Sequence, residues 1–191
     1  MKKIAQIIFF LIGVIIFFFI FDASLMLWQL TPITRISKYR NVTTLRWREQ
    51  SLIRHFPGKI TLNAGDPKFY YRAGLLQGGS TIELRVQMSA KDVEEVYAIY
   101  RPQAKAVFNG ADKHGQQGDK QQILPKWNYM TFPTDENETL GTHSLLPKDF
   151  EVLLLSAQPY ESNPMDWNHG RSSGISISRH RREIIYWAEV W

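Results

Sequence analysis

Hydrophobic and polar positions alternate with a period of two over 81–88. Ile82, Leu84, Val86 and Met88 fall on one side, and Thr81, Glu83, Arg85 and Gln87 on the other. Successive side chains of a strand point to opposite faces, so the pattern predicts a strand with one face buried and the other wet, as antiparallel sheets commonly have. The period then changes. Ser89 stands where an N-cap accepts a backbone N–H, Asp92 places negative charge in the first turn, and Val93, Val96, Tyr97 and Tyr100 recur at i, i+3, i+4 and i+7. A strand–helix unit over 81–101 follows, ended or bent at Pro102 and closed by Asn109-Gly110.

Further along, Val152-Leu153-Leu154-Leu155 is a continuous apolar run, suited to a strand over 151–157 that is covered on both faces. Alternation returns at 174–178, and 183–191 is rich in β-formers and apolar on both sides. Arg179-His180-Arg181-Arg182 makes a short connection between them, so 174–191 reads as a β-hairpin whose last strand lies inside the sheet. Before the first strand, Leu45, Leu52 and Phe56 predict an amphipathic helix over 43–56, stopped by Pro57-Gly58. Ile60 and Leu62 alternate as a strand, Gly65-Asp66-Pro67 reads as a turn, and Phe69-Tyr70-Tyr71 as another strand. Periodicity is lost over 112–148, where 114–119 reads as a surface loop and Trp127, Tyr129, Met130 and Phe132 as a pinned excursion. These elements predict an α+β fold: a mainly antiparallel sheet of about five or more strands with one or two covering helices, preceded by one N-terminal transmembrane helix.

That leading helix rests on 4–21, eighteen residues interrupted only by Gln6. Helical, they rise about 27 Å, close to the roughly 30 Å hydrocarbon thickness of a bilayer. Leu25, Met26, Leu27 and Trp28 extend the apolar character, with Trp28 placed for headgroup depth. A cleaved signal peptide has a shorter apolar core and small residues before its cut, whereas Phe21 is bulky where a cut after Ala23 needs a small side chain. The reading is therefore an uncleaved signal anchor over 1–30, a basic juxtamembrane segment over 31–59 and a globular domain over 60–191. Lys2 and Lys3 abut the span, which favours a cytoplasmic N-terminus and a periplasmic domain at a bacterial inner membrane.

Charge sharpens this division. The 191 residues carry a net charge of +5. Arg35, Lys38, Arg40, Arg46, Arg48, Arg54 and Lys59 face a single acid, Glu49, within 31–60, whereas 61–191 is mildly acidic. A basic stretch beside an apolar span is drawn to anionic headgroups, and Arg35, Lys38, Arg40, Arg46 and Arg48 are the expected membrane-surface contacts. Nucleic acid is not an expected partner, because the domain has no basic surface interleaved with aromatics.

Candidate chemistry is sparse. The absence of cysteine excludes disulfide scaffolds, Cys-ligated metals and thiolate nucleophiles. Gly170-Arg171-Ser172-Ser173-Gly174 spells G-x-S-x-G, but the nucleophile elbow needs a strand before the Ser and a helix after it, and here a strand-like run follows. The flanking glycines are read as serving a loop. None of His55, His114, His143, His169 and His180 forms a metal-ligand spacing, and 135–139 fails the calcium-loop pattern at its turn glycine. No metal or cofactor is expected. Asp166, Trp167, His169 and Arg171 form the densest polar patch, able to bind a polar ligand or support acid–base chemistry. The expected function is a non-enzymatic accessory or binding protein of the envelope, a complex component or an immunity-type protein. Its partners are the lipid bilayer and another envelope protein; the alternative is an envelope enzyme acting on a glycan or peptide through the 166–171 patch.

Overall fold

The structure is a computed structural model and describes residues 13–18, 31–60, 65–74, 79–110, 129–130, 144–158 and 170–190. The chain divides into two compact units, Met1–Pro32 and Ile33–Trp191. In the first, residues 13–18 are helical and Ile15, Ile16, Phe17 and Phe18 expose their side chains. Among the described residues no helix is long and apolar enough to cross a membrane. The remainder of the apolar stretch expected to span a bilayer lies outside them.

The second unit is α+β. Its strands are β1 (Gly65–Arg72), β2 (Ser80–Gln87), β3 (Ala106–Asn109), β4 (Tyr129–Met130), β5 (Ser144–Leu145), β6 (Glu151–Gln158), β7 (Arg171–Ser178) and β8 (Glu183–Val190), with helix α1 (Ala90–Tyr100) between β2 and β3. Six of them form one sheet in the order β1-β2-β8-β7-β6-β3 with every neighbouring pair antiparallel, and β4 and β5 form a separate two-stranded ladder. The hairpin of β7 and β8 forms as expected, and β8 lies between β2 and β7, well inside the sheet. Its turn is held by Arg181 N–H donating to Ser178 Oγ at 3.1 Å, with Arg182 at φ 54°.

One face of the sheet carries Phe69, Tyr71, Ile82, Leu84, Val86, Ile175, Ile177, Ile184, Tyr186 and Ala188 in a continuous core. Helix α1 covers part of it. Ser89 caps the helix, accepting from Asp92 N–H at 3.1 Å, and Val93, Val96, Tyr97 and Tyr100 pack inward as their spacing requires. The rest is covered by 33–60, which inserts Tyr39, Val42, Trp47, Leu52, Ile53 and Phe56 into the same core.

That segment is not the single helix expected over 43–56. It consists of short helical turns, Ile36–Lys38, Tyr39–Asn41, Val42–Arg46 and Gln50–Ile53, broken where Trp47 turns extended at ψ 120°. Trp47 buries its ring against Tyr71 and its Nε1–H donates to Glu49 O at 2.8 Å, a geometry that a continuous helix would not provide. Leu45, assigned to the apolar face, is 78% exposed. Three other expectations change. The strand at Ile60 and Leu62 falls largely outside the described residues. Gly65-Asp66-Pro67 belongs to β1, at a register irregularity, with Asp66 at φ 29°. Residues 106–109, read only as the end of a segment, form the edge strand β3.

The opposite face departs further from expectation. Thr81 and Glu83 of β2 are buried there, so the side expected to be wet is largely dry. Leu146 and Phe150 join Tyr70, Val152, Leu154, Ile185 and Trp187 in a second core on this face. Alternation distinguishes the two sides of a strand but not whether the polar side meets water or other buried polar groups.

Candidate functional site

Two regions of the second unit carry unusual chemistry. The first is the basic segment. Because its aromatic and aliphatic residues are locked into the core, its cations are presented from fixed turns: Arg35, Lys38, Arg40, Arg46 and Arg48 are all exposed. Tyr39 packs edge-on against Phe69 with 5.4 Å between ring centres, and its hydroxyl donates to Pro57 O at 2.6 Å. Ile33 and Tyr71 exchange backbone hydrogen bonds at 2.8 and 2.9 Å, fastening the start of the segment to β1. Burial raises the Tyr71 hydroxyl pKa, while the nearby charges of Arg46 and Arg48 oppose the rise. His55 is buried, its Nε2–H donating to the Trp187 carbonyl at 3.2 Å. Burial lowers its pKa to about 4 against the opposing backbone hydrogen bonds, so it is neutral at pH 7.

Within this segment a groove of about 450 Å³ opens over Tyr39, Ile53 and Phe56, with Arg40, Arg54 and Lys59 in its lining and no acid among the lining residues. The only acid of the segment, Glu49, turns elsewhere: Arg171 Nη1 pairs with its Oε2 at 3.2 Å. Arg171 Nε also donates to Gln158 Oε1 at 2.7 Å. Of the expected patch, Arg171 thus opens β7 and ties the sheet to the basic segment, while Asp166, Trp167 and His169 lie outside the described residues.

The second region is the polar part of the opposite face, where the register sets side chains in rows. Arg72, Thr81, Glu189, Ser172 and Ala157 stand opposite one another across β1, β2, β8, β7 and β6. Beside them run Tyr70, Glu83, Trp187, Gly174 and Leu154. Next come Lys68, Arg85, Ile185, Ser176 and Val152. In this third row Arg85 meets Glu183 in a two-point ion pair, Nη2 donating to Oε2 at 3.0 Å while Nε faces Oε1. At the hairpin end, Ser178 Oγ and Arg181 Nε donate to Asp149 Oδ2 at 2.6 and 2.8 Å. Burial works against that carboxylate, but these hydrogen bonds outweigh it and hold its pKa below the usual range.

Gly174 makes room for the second row. A Cβ there would lie 2.5 Å from Trp187 Cζ2 and 2.9 Å from Cε2, so the indole can lie over β7 only because this position has no side chain. Ser172, the serine of the G-x-S-x-G match, sits inside β7 and not on a turn before a helix, which removes the elbow geometry. Of the flanking glycines, Gly174 lies inside β7, not in a loop, while Gly170 immediately precedes the strand. The Ser172 hydroxyl and Trp187 Nε1 are buried with no hydrogen-bond partner among the described residues. Glu189 is partly buried, and its carboxyl is pushed up to about 8, first by burial and then by the charge of Glu83, with Arg72 opposing.

Glu83 and Glu189 were not singled out by sequence reasoning. Glu83 reads as the wet side of β2 and Glu189 as one polar residue in an apolar strand. The one available signal was that an acid interrupts a run otherwise apolar on both sides. Among the described residues no group of three or more His, Cys, Asp or Glu is placed to hold a metal ion. No family model, curated protein or solved structure matches the chain.

Proposed function

We propose that the protein is a single-pass membrane-anchored component of a bacterial envelope whose folded unit serves as a non-enzymatic accessory or binding domain, held against an anionic bilayer by its basic segment. The observation that carries this reading is the fixed presentation of Arg35, Lys38, Arg40, Arg46 and Arg48 on turns whose aromatic residues are buried in the core. A loose basic linker would lose conformational entropy on meeting a membrane; pinned turns have already lost most of it on folding. The preceding apolar stretch of the sequence supplies the anchor, and each cation near the surface adds about 1 kcal/mol. The enzyme reading through the 166–171 patch is weaker, because Arg171 is committed to Glu49 and Gln158.

The test uses the full chain in vesicles of phosphatidylcholine, with and without phosphatidylglycerol, and reads amide hydrogen exchange over 36–59. Exchange should slow in the anionic vesicles only, and the slowing should vanish in concentrated salt or when the five cations are replaced by Gln. Equal exchange in both lipids would defeat the headgroup contact. Release of the chain from native membranes by carbonate would defeat the anchor.

A further inference from the structure

The groove of the basic segment is built by two stretches of chain that hold each other. Arg40, Thr43 and Thr44 line one side, and residues between Gln50 and Lys59 line the other, over the buried Tyr39, Ile53 and Phe56. Two hydrogen bonds tie the stretches together. Tyr39 Oη donates to Pro57 O at 2.6 Å, and Gln50 Nε2 donates to Thr43 O at 2.9 Å. A groove shaped in advance by its own contacts loses little conformational entropy when it is filled. Its volume of about 450 Å³ lies within the range of about 300–1,000 Å³ common to small-molecule clefts.

The donors left over select the ligand. Tyr39, Thr43, Thr44 and Gln50 already donate to backbone carbonyls, which leaves little for a neutral hydroxyl-rich molecule. Arg40, Arg54 and Lys59 are exposed and have no ion-pair partner among the described residues. No acid lines the groove, so a metal ion would meet only repulsion there. Guanidinium and ammonium groups are the recurrent partners of phosphate oxygens. The apolar floor of Tyr39, Ile53 and Phe56 suits the carbon of an amphiphile instead of a bare ion. Arg40 also belongs to the expected membrane-surface cations, so the groove adjoins that set. We infer that the groove is a site for one anionic phospholipid headgroup, its phosphate held by Arg40, Arg54 and Lys59. Assigning the phosphate to a lipid rests on the membrane reading. A single saturable site goes beyond that reading, since the diffuse attraction of exposed cations fixes no stoichiometry.

The experiment is native mass spectrometry of the full chain in a nonionic detergent. The probes are dihexanoyl phosphatidylglycerol, dihexanoyl phosphatidylcholine and sodium phosphate, the last as a competitor. One phosphatidylglycerol should bind per chain and saturate, with phosphatidylcholine weaker by about tenfold and phosphate displacing the lipid only at far higher concentration. Arg54→Gln combined with Lys59→Gln should weaken the site about 30-fold, through the loss of two cations near one headgroup. Lys68→Gln combined with Lys105→Gln makes the same charge change at exposed positions outside the groove and should alter binding by less than about twofold. All four positions are exposed, so both variants should melt as the parent does. Three outcomes would overturn the inference: uptake of phosphatidylglycerol without saturation at one, equal binding of phosphatidylcholine or free phosphate, or equal weakening by the two double variants. Any of these, with exchange over 36–59 still slowed only in anionic vesicles, would remove the site and leave the membrane reading standing. Release of the chain by carbonate would remove the lipid assignment together with that reading.

Discussion

On one face of the sheet, Ile82, Leu84, Ile175, Ile177 and Ile184 meet α1 and the aromatic residues of 33–60 in an apolar core. On the other, Glu83, Glu183, Ser172, Ser176 and Ser178 are buried to a similar degree, interspersed with Tyr70, Ile185 and Trp187. Apolar packing stabilises through area removed from water and tolerates adjustment of shape. A buried polar group must instead find its partner in a specific geometry, and two partners on different strands must arrive together. The first face therefore holds the sheet together, while the second records its register. Among the described residues the second face also leaves Ser172 Oγ and Trp187 Nε1 without hydrogen-bond partners, which the first face does not.

The comparison can be broken most severely by removing what both faces share. Deletion of 187–191 takes away half of β8, which hydrogen-bonds to β2 and β7 together and carries Trp187 on one face and Ala188 on the other. The truncated chain should fail to fold, with loss of the cooperative thermal transition; an unchanged transition would show that β8 is dispensable.

Next in size is the ion pair of the polar face. Glu183→Ala removes the carboxylate, 2% exposed, that Arg85 meets in a two-point ion pair and should cost about 3–5 kcal/mol. Arg85→Met combined with Glu183→Leu should recover most of that loss. Denaturant unfolding of the single and double variants measures both. If the double variant is as unstable as the single, the pair is needed for register and not only for charge neutrality.

The smallest effect contrasts the faces by pH. His55, beneath the apolar face, has a pKa lowered to about 4, so the unfolded chain binds its proton first. Its contribution is complete above about pH 6.5 and is lost as pH falls toward 4, amounting to about 3 kcal/mol. Glu189, on the polar face, is pushed up to about 8, so there the folded chain holds the proton more tightly. Its effect has the opposite sign: stability declines as pH rises from the ordinary carboxylate range to 8. The two slopes oppose each other below about pH 6.5, and only the decline remains above it. His55→Leu should remove the acid limb and Glu189→Gln the alkaline one, each read from unfolding curves across pH. An unaltered alkaline limb in Glu189→Gln would mean that its carboxyl titrates as if in water.

Local interactions made much of this legible without coordinates. The alternation at 81–88, the Ser89 cap with the stripe Val93, Val96, Tyr97 and Tyr100, and the hairpin of β7 and β8 depend on neighbours a few residues apart, so the sequence alone determined them. It also marked off the apolar leader and the cationic stretch beyond it. The broken turns of 33–60 were decided by Trp47 and Tyr39 finding Tyr71 and Phe69, some thirty residues away or less but on another element. Only the tertiary structure could set Ser172 opposite Glu189 and Trp187 opposite Glu83, or turn the polar side of β2 inward. A periodic pattern states which residues share a side; whether that side is wet, and what faces it there, depends on strands that the chain brings together only when the whole sheet closes on its register.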